Sequence, residues 1–459
     1  MSKIISFKIM MLFVLFLGLT SQAQTKKWTL QECVEYALKN NISIKQTDLD
    51  AQTTAISKKD AIGNFLPNIN ANASHSWNIG LNQNITTGLL QNQTTQFTSA
   101  GLSSNIAIYN GLQNQNKLRR ATLSIIASQY QLSKMKDDVS LNVANAFLQI
   151  LFNKENLKVQ KEQLSNDEKQ LKRTDELVTS GVVARGDLLD VKATVASDNQ
   201  KVVAAENALF LSKLSLAQLL QIDEFKDFDI ADTDYDAKPS ATMLEQPEAI
   251  IEKAKQERVE LKIAKTNLDI AEKDVTIAKG AYQPTLSGFY SFSTRASYSD
   301  RIVGVDANNN YIFSGPLPLF DQFSNNKGHS FGVQLSVPIL NGFSVKNNVE
   351  RSKIALERSK TTQKQAETDL ERNVYTAITD AKGALNAYES SKIALDARKE
   401  ALNYAKEKYA VGMMNSFDYN QSQTLYVNAQ SEVLRTKFDY IFKVKVVEFY
   451  FGIPIIENR

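Results

Sequence analysis

The sequence predicts a mainly α fold with a membrane β-barrel part, arranged as tandem-duplicated long helical hairpins plus two β-hairpins per protomer. Three observations predict it. Residues 112–178 contain neither Gly nor Pro, and an unbroken helix of that length is a rod of ~100 Å. A second Pro-free rod, 343–411, matches the first at an offset of 231 residues. Ahead of each rod the apolar period changes from helical to two, the mark of a strand with one apolar and one polar face.

The N-terminal stretch reads as a secretory signal. Lys3 and Lys8 precede an apolar run from Ile9 to Leu19, and Ser21-Gln22-Ala23 suits cleavage after residue 23. Without those two lysines the formal net charge drops from +3 to +1, so no global charge recruits nucleic acid. After residue 23 no apolar run reaches the length of a spanning helix. Cys33 is the only cysteine, which excludes an intramolecular disulfide and a thiolate zinc site. Glu32 before it and its place past the cut speak against a lipid anchor. His75 and His329 stand far apart without carboxylates at ligand spacing, and no phosphate-binding Gly-rich loop occurs. No metal, no cofactor and no enzyme activity are expected.

The first repeat is read as 24–222. Trp28 to Asn40 form a short amphipathic helix, and a longer one runs from Ile42 to Phe65 and leaves through Gly63-Asn64-Phe65-Leu66-Pro67. From Ile69 to Leu81 every second residue is apolar or aromatic, with Asn and Ser between, and a return strand ends at Tyr109-Asn110-Gly111. This β-hairpin spans about 69–109. Along the rod, Ile150, Leu157, Leu164, Leu171 and Val178 step by seven, an apolar seam for a neighbouring helix. Leu118, Ile125, Leu132, Val139 and Ala146 hold the same step in a frame offset by four, a stutter that locally unwinds the supercoil. A turn near Gly181 leads into a return helix, 187–221.

An acidic stretch, 223–246, reads as a solvated linker without calcium-loop spacing. The second repeat, 247–459, restates the first. Gly280-Ala281-Tyr282-Gln283-Pro284 answers Gly63 to Pro67 at an offset of 217, and Gly342 answers Gly111 at 231. The offset changes inside the second hairpin, about 286–340, so that hairpin is 14 residues longer. Asn308-Asn309-Asn310, Pro316 and Pro318 mark the extra residues as a loop. The long helix 343–411 and a return helix 417–451 follow the turn at Gly412.

Each strand is long enough to cross a bilayer when tilted. Four strands cannot close a barrel, and open edges in lipid leave backbone groups unpaired. Spanning strands would therefore have to be pooled between subunits. A soluble two-sided sheet needs a covering helix, yet the helices are committed to rods.

Together these features resemble the TolC-like outer-membrane efflux proteins of Gram-negative bacteria. The resemblance rests on the duplication, the Gly-x-aromatic-x-Pro helix exits, the junctions Tyr109-Asn110-Gly111 and Val337 to Gly342, and the turn glycines Gly181 and Gly412. It implies a homotrimer with a 12-stranded barrel in outer-membrane lipid and a helical tunnel through the periplasm. Such a channel is the passive exit duct of a tripartite efflux or type I secretion system. Its partners are a periplasmic adaptor (membrane fusion) protein and an inner-membrane pump of RND, ABC or MFS type. By the same resemblance the turns 179–187 and 410–418 form a periplasmic tip, where Gly181, Val182, Gly412 and Met413 dock the adaptor. The family's acidic entrance positions fall on Asp418 and Gln421, with Asp187 equivalent to Asp418 by the internal repeat. The departure at Gln421 leaves a single acidic ring, and Asp187 and Asp418 could equally be helix N-caps. The competing class is a non-conducting periplasmic coiled-coil adaptor or spacer, which would need no detergent for extraction.

Overall fold

The structure, a computed structural model, describes residues 27–232 and 240–455. The expected signal at 1–23 and the middle of the acidic stretch lie outside the described residues. The chain divides into two compact units that cut across the repeats. One takes in residues up to Leu49, Tyr130–Lys262 and those from Lys364 onward; the other takes in Asp50–Gln129 and Ile263–Gln363.

In chain order the first repeat holds β1 (Lys27–Trp28), α1 (Leu30–Asn40), α2 (Ile42–Gly63), β2 (Asn68–Gln83), β3 (Leu90–Asn110), α3 (Gln113–Thr179) and α4 (Arg185–Leu220). After β4 (Asp229–Ile230) and one 3-10 turn come α5 (Pro247–Glu257), α6 (Val259–Gly280) and β5 (Thr285–Ser297). Then follow β6 (Arg301–Val305), β7 (Tyr311–Ser314), α7 (Leu319–Asn325), β8 (Gly328–Ser336), α8 (Ser344–Ala410) and α9 (Ser416–Phe451). No helix among the described residues is long and apolar enough to cross a membrane.

Local chemistry sets the ends. Thr29 and Glu32 make a reciprocal capping box at the start of α1. Asn41 then joins three elements: its Oδ1 accepts from the Ser43 amide at 2.9 Å at the start of α2, and its Nδ2 donates to the Leu219 carbonyl at 2.9 Å. The two rods begin one residue later than the sequence suggests. Leu112 and Phe343, at φ 60° and 63°, continue the left-handed turn of Gly111 and Gly342, so the helical ladder starts at Gln113 and Ser344.

Two of the cores of the helical unit are related by the duplication. Cys33, Val34 and Ala37 of α1 pack with Val139, Val143, Phe147 and Ile150 of α3. Their repeat equivalents Ile250, Ile251 and Ala254 of α5 pack with Leu370, Val374, Ile378 and Ala381 of α8. Leu216 and its equivalent Val447 close the respective clusters. The reading of 223–246 as solvated throughout needs correction. Ile230 is fully buried, and β4 pairs in parallel with β1. Lys154 and Lys213 each meet Asp229 at 2.9 Å, and Lys154 also meets Asp232 at 2.8 Å. An acidic run next to lysines on two packed helices is pinned by them rather than left to solvent.

The other unit carries a four-stranded antiparallel sheet in the order β2-β3-β5-β8, with β3 and β5 joining the two repeats. Ile69, Trp77, Ile79 and Leu81 of β2 and Phe331, Val333 and Leu335 of β8 are all exposed. Among the described residues the outer edges of β2 and β8 pair with no further strand. Within this unit Gly111 and Gly280 approach so closely that a Cβ on Gly111 would land on the Gly280 carbonyl oxygen. The 14 extra residues are more than a loop. The lengthened connection between β5 and β8 holds the small hairpin β6–β7 and the helix α7, which is tied back to β5 where Gln322 Oε1 accepts from the Ser297 amide at 2.9 Å and Asn326 donates to the Arg295 carbonyl at 2.7 Å.

Candidate functional site

The two turns that follow the rods are built alike. After α3, the amide of Val182 bonds the Leu177 carbonyl at 2.9 Å and that of Gly181 bonds Val178 at 3.0 Å. After α8, Met413 bonds Lys408 at 2.8 Å and Gly412 bonds Tyr409 at 3.2 Å. This nested pair of bonds is the Schellman stop, and it needs a left-handed residue at its hinge. Gly181 and Gly412 supply it at φ 75° and 77°. Each turn thereby presents apolar side chains outward: Val182, Met413, Val411 and Phe417 are exposed.

The acidic residues follow from the helix starts. The N-cap of α9 is Asn415, whose side chain accepts from the Asp418 amide at 2.8 Å and donates to the Asp418 carboxylate at 3.0 Å. The N-cap of α4 is Ala184, which offers no side-chain bond. Neither Asp187 nor Asp418 is therefore an N-cap. Both lie in the first helical turn, where a carboxylate meets the positive end of the helix. Asp187 is half-buried and accepts from the Ser416 hydroxyl at 2.9 Å, so it ties the first turn to the second. Asp418 and Gln421 are exposed, and no bond of theirs reaches the first turn.

Ser416 and Asn415 were not singled out by the sequence reasoning. The signal that could have found Asn415 is the pattern Asn-x-x-Asp before a helical run. A polar shelf lies behind the turns. Tyr409 and Tyr419 stack with centroids 4.8 Å apart, and Gln170 donates to the Tyr409 hydroxyl at 3.0 Å. Burial, then the nearby Asp167 and Tyr409, push the Tyr419 hydroxyl above its ordinary value, which keeps it a neutral hydrogen-bonding group. Among the described residues no group of three or more His, Cys, Asp and Glu is placed to hold a metal ion.

The sequence signature described as "Outer membrane efflux protein" matches twice, over residues 34–220 and 250–441. The chain is 24% identical to the outer membrane protein TolC of Vibrio cholerae over 326 residues, 68% of this chain and 67% of that one. To TolC of Escherichia coli it is 20% identical over 438 residues, 92% and 82% of the two chains. Among solved structures it resembles CusC with a TM-score of 0.76 at 15% identity, covering 92% of this chain and 91% of that one. The outer membrane channel CmeC of Campylobacter jejuni gives 0.74 at 19% identity, covering 94% and 87%. Two family matches, one on each repeat and together spanning most of the chain, decide the assignment: this chain belongs to the outer membrane efflux protein family.

Proposed function

We propose that the chain is the outer-membrane exit duct of an efflux system in a Gram-negative bacterium, passing substrates outward without chemistry of its own. Three copies pool their strands into a closed barrel, and their helices continue the conduit. An inner-membrane pump, joined through a periplasmic adaptor, supplies the energy. The reading assigns the chain no catalytic step and no cofactor. Its entrance is formed by the two turns, with Asp187 and Asp418 as the charged groups, Gln421 beside them, and Gly181, Val182, Gly412 and Met413 as the face offered to the adaptor. The exposure of Val182 and Met413 supports a docking role.

The observation that carries the proposal is the junction between repeats. Within one chain the second strand of the first repeat, β3, pairs with the first strand of the second, β5: Leu102 stands opposite Phe292, and Asn110 opposite Thr285. The same relation applied once more sets β8 of one copy against β2 of the next. Shifting the register by the repeat offsets pairs Val333 with His75 and Asn341 with Asn68 of the neighbouring copy. Both edges are free to accept it, and unpaired edges in lipid are the costliest feature the sheet has.

Two measurements test this. Introducing His75→Cys and Val333→Cys together should give intermolecular disulfides on oxidation, since opposed residues in antiparallel strands lie ~4.5–5.5 Å apart at Cα, within disulfide reach. Purified protein in a planar bilayer should give discrete current steps. A membrane-inserted oligomer that never conducts, even with Asp418→Ala at high voltage, would overturn the duct and favour the spacer reading.

A further inference from the structure

Behind the turns, α3, α4 and α9 enclose a pair of carboxyl groups for which the transport reading has no use. Asp167 on α3 is 1% exposed and Asp198 on α4 is 4% exposed. Each has one oxygen paired: Gln163 donates to Asp167 Oδ2 at 2.7 Å, and Lys201 donates to Asp198 Oδ1 at 2.9 Å. Their other oxygens, Asp167 Oδ1 and Asp198 Oδ2, are buried with no partner, and so is Gln423 Oε1 from α9. Two ionised carboxylates held together out of water repel each other, whereas one proton between them gives a short charge-assisted O–H···O bond and satisfies both orphan oxygens.

We propose that Asp167 and Asp198 share one proton, and that this shared proton is a pH-dependent latch fastening α3 to α4 behind the turns. Asp167 lies fourteen residues before Gly181, a distance of ~20 Å along the helix. Lys201 neutralises Asp198, so the proton resides on Asp167. Burial, then the hydrogen bond with Asp198, push the Asp167 carboxyl up to about 7, against the partial offset of Gln163 and Gln423. Of the titratable and charged groups around the pair, Lys201 on α4 meets Asp198 and Tyr419 on α9 lies near Asp167, with Tyr409 on α8 and Arg173 on α3 beside Tyr419 in turn. Tyr419, raised above its ordinary value, keeps its proton across the pH range in which a carboxyl near 7 titrates.

The direction follows from linkage. A carboxyl that holds its proton more tightly folded than unfolded contributes fully below its ordinary value, and the contribution is lost as pH rises toward about 7. Acidification of the periplasm therefore tightens the α3–α4 contact, and alkalinisation sets two charges against each other there. Because both residues are buried within one protomer, the latch does not depend on assembly or on conduction.

The test is thermal unfolding of the detergent-purified full chain from about pH 5 to about pH 8.5, in chelator, with the Asp167→Asn and Asp198→Asn variants alongside. The wild-type midpoint should fall as pH rises through about 7, and the fall should be reduced in Asp167→Asn, whose amide donates permanently. His75 and His329 remain in every variant, so the difference between curves isolates the pair. An equal fall in wild type and both variants overturns the proposal. Should the variants not fold, infrared spectroscopy of the wild type decides. A protonated-carboxyl C=O band that vanishes as pH passes about 7 supports the latch, and no such band at about pH 5 refutes it. Added sodium or calcium that restores stability at high pH would show a cation between the carboxylates instead, and would equally refute the shared proton.

Discussion

Replacing Ser416 by Ala isolates the tie between the two turns. Ser416 is 4% exposed and its hydroxyl donates to Asp187 at 2.9 Å. It is the first helical residue of α9, next to the N-cap Asn415, so Ala leaves the cap and the helix propensity intact. A hydrogen bond to a charged group contributes about 1.5–3 kcal/mol, and the lower figure applies because half-buried Asp187 regains water when the bond is lost. If the bond exists only in the closed entrance, its loss favours opening by roughly tenfold per subunit. If three subunits open together, about 4.5 kcal/mol accumulates, on the order of a thousandfold. The assay is open probability in planar-bilayer recordings of the reconstituted oligomer, with Ser416→Thr as the variant that keeps the hydroxyl. Ser416→Ala should open far more often while Ser416→Thr stays near wild type. Equal open probabilities in all three proteins would refute the reasoning and leave the tie a purely structural bond.

Four further outcomes are expected. Gly111→Ala should prevent the sheet-bearing unit from folding, because the new Cβ strikes the Gly280 backbone in a left-handed conformation. Gly63→Ala has open space in one protomer, so it should leave the protomer folded yet block oligomers if the junction repeats between copies, as native gels would report. Lys154→Met removes one of two cations on Asp229. Burial alone would raise that carboxyl, but hydrogen bonds from Lys213 and Lys154 outweigh it and hold it below its ordinary value. Its contribution is thus present above about pH 4 and lost as pH falls below it. The variant should lose about 2 kcal/mol at neutral pH and show a shallower acid limb in pH-dependent denaturation. Asp418→Asn should lower cation-over-anion selectivity by roughly twofold or more if these carboxylates ring the entrance, as reversal potentials in a salt gradient would reveal.

What could be read from the sequence depended on how local its cause is. The rods, their seams and the period change before them are written in residue spacing, and spacing survives any assembly. The turn glycines were legible for the same reason, since only a left-handed hinge closes the nested bonds at Gly181 and Gly412. The carboxyl pair was not legible: Asp167 and Asp198 look like two of many charged residues on long polar helices. Only packing against α9 shows that their faces are turned inward. The acidic stretch misled in the opposite way. Its charge suggested solvent, whereas Lys154, in the middle of a rod and 78 residues before Asp232, supplies a partner that no local window contains.

The duplication also explains why the tie between turns runs in only one direction. In the second repeat Asn415 occupies the N-cap and engages the carboxylate of Asp418 from its own helix. In the first repeat the equivalent position is Ala184, which has no side chain to offer. Asp187 is thereby left without a local partner, and it takes the hydroxyl of Ser416 across the gap. The repeat equivalent of Ser416 is Arg185, and the Asp418 carboxylate takes the side-chain amide of Asn415 in its own turn instead. A capping residue at 184 would compete for Asp187 and loosen the tie, which means Ala184→Asn should stabilise α4 by about 1 kcal/mol while raising the open probability. A variant that stabilised the helix and left opening unchanged would place the tie outside the closing mechanism, even if Ser416→Ala had moved it.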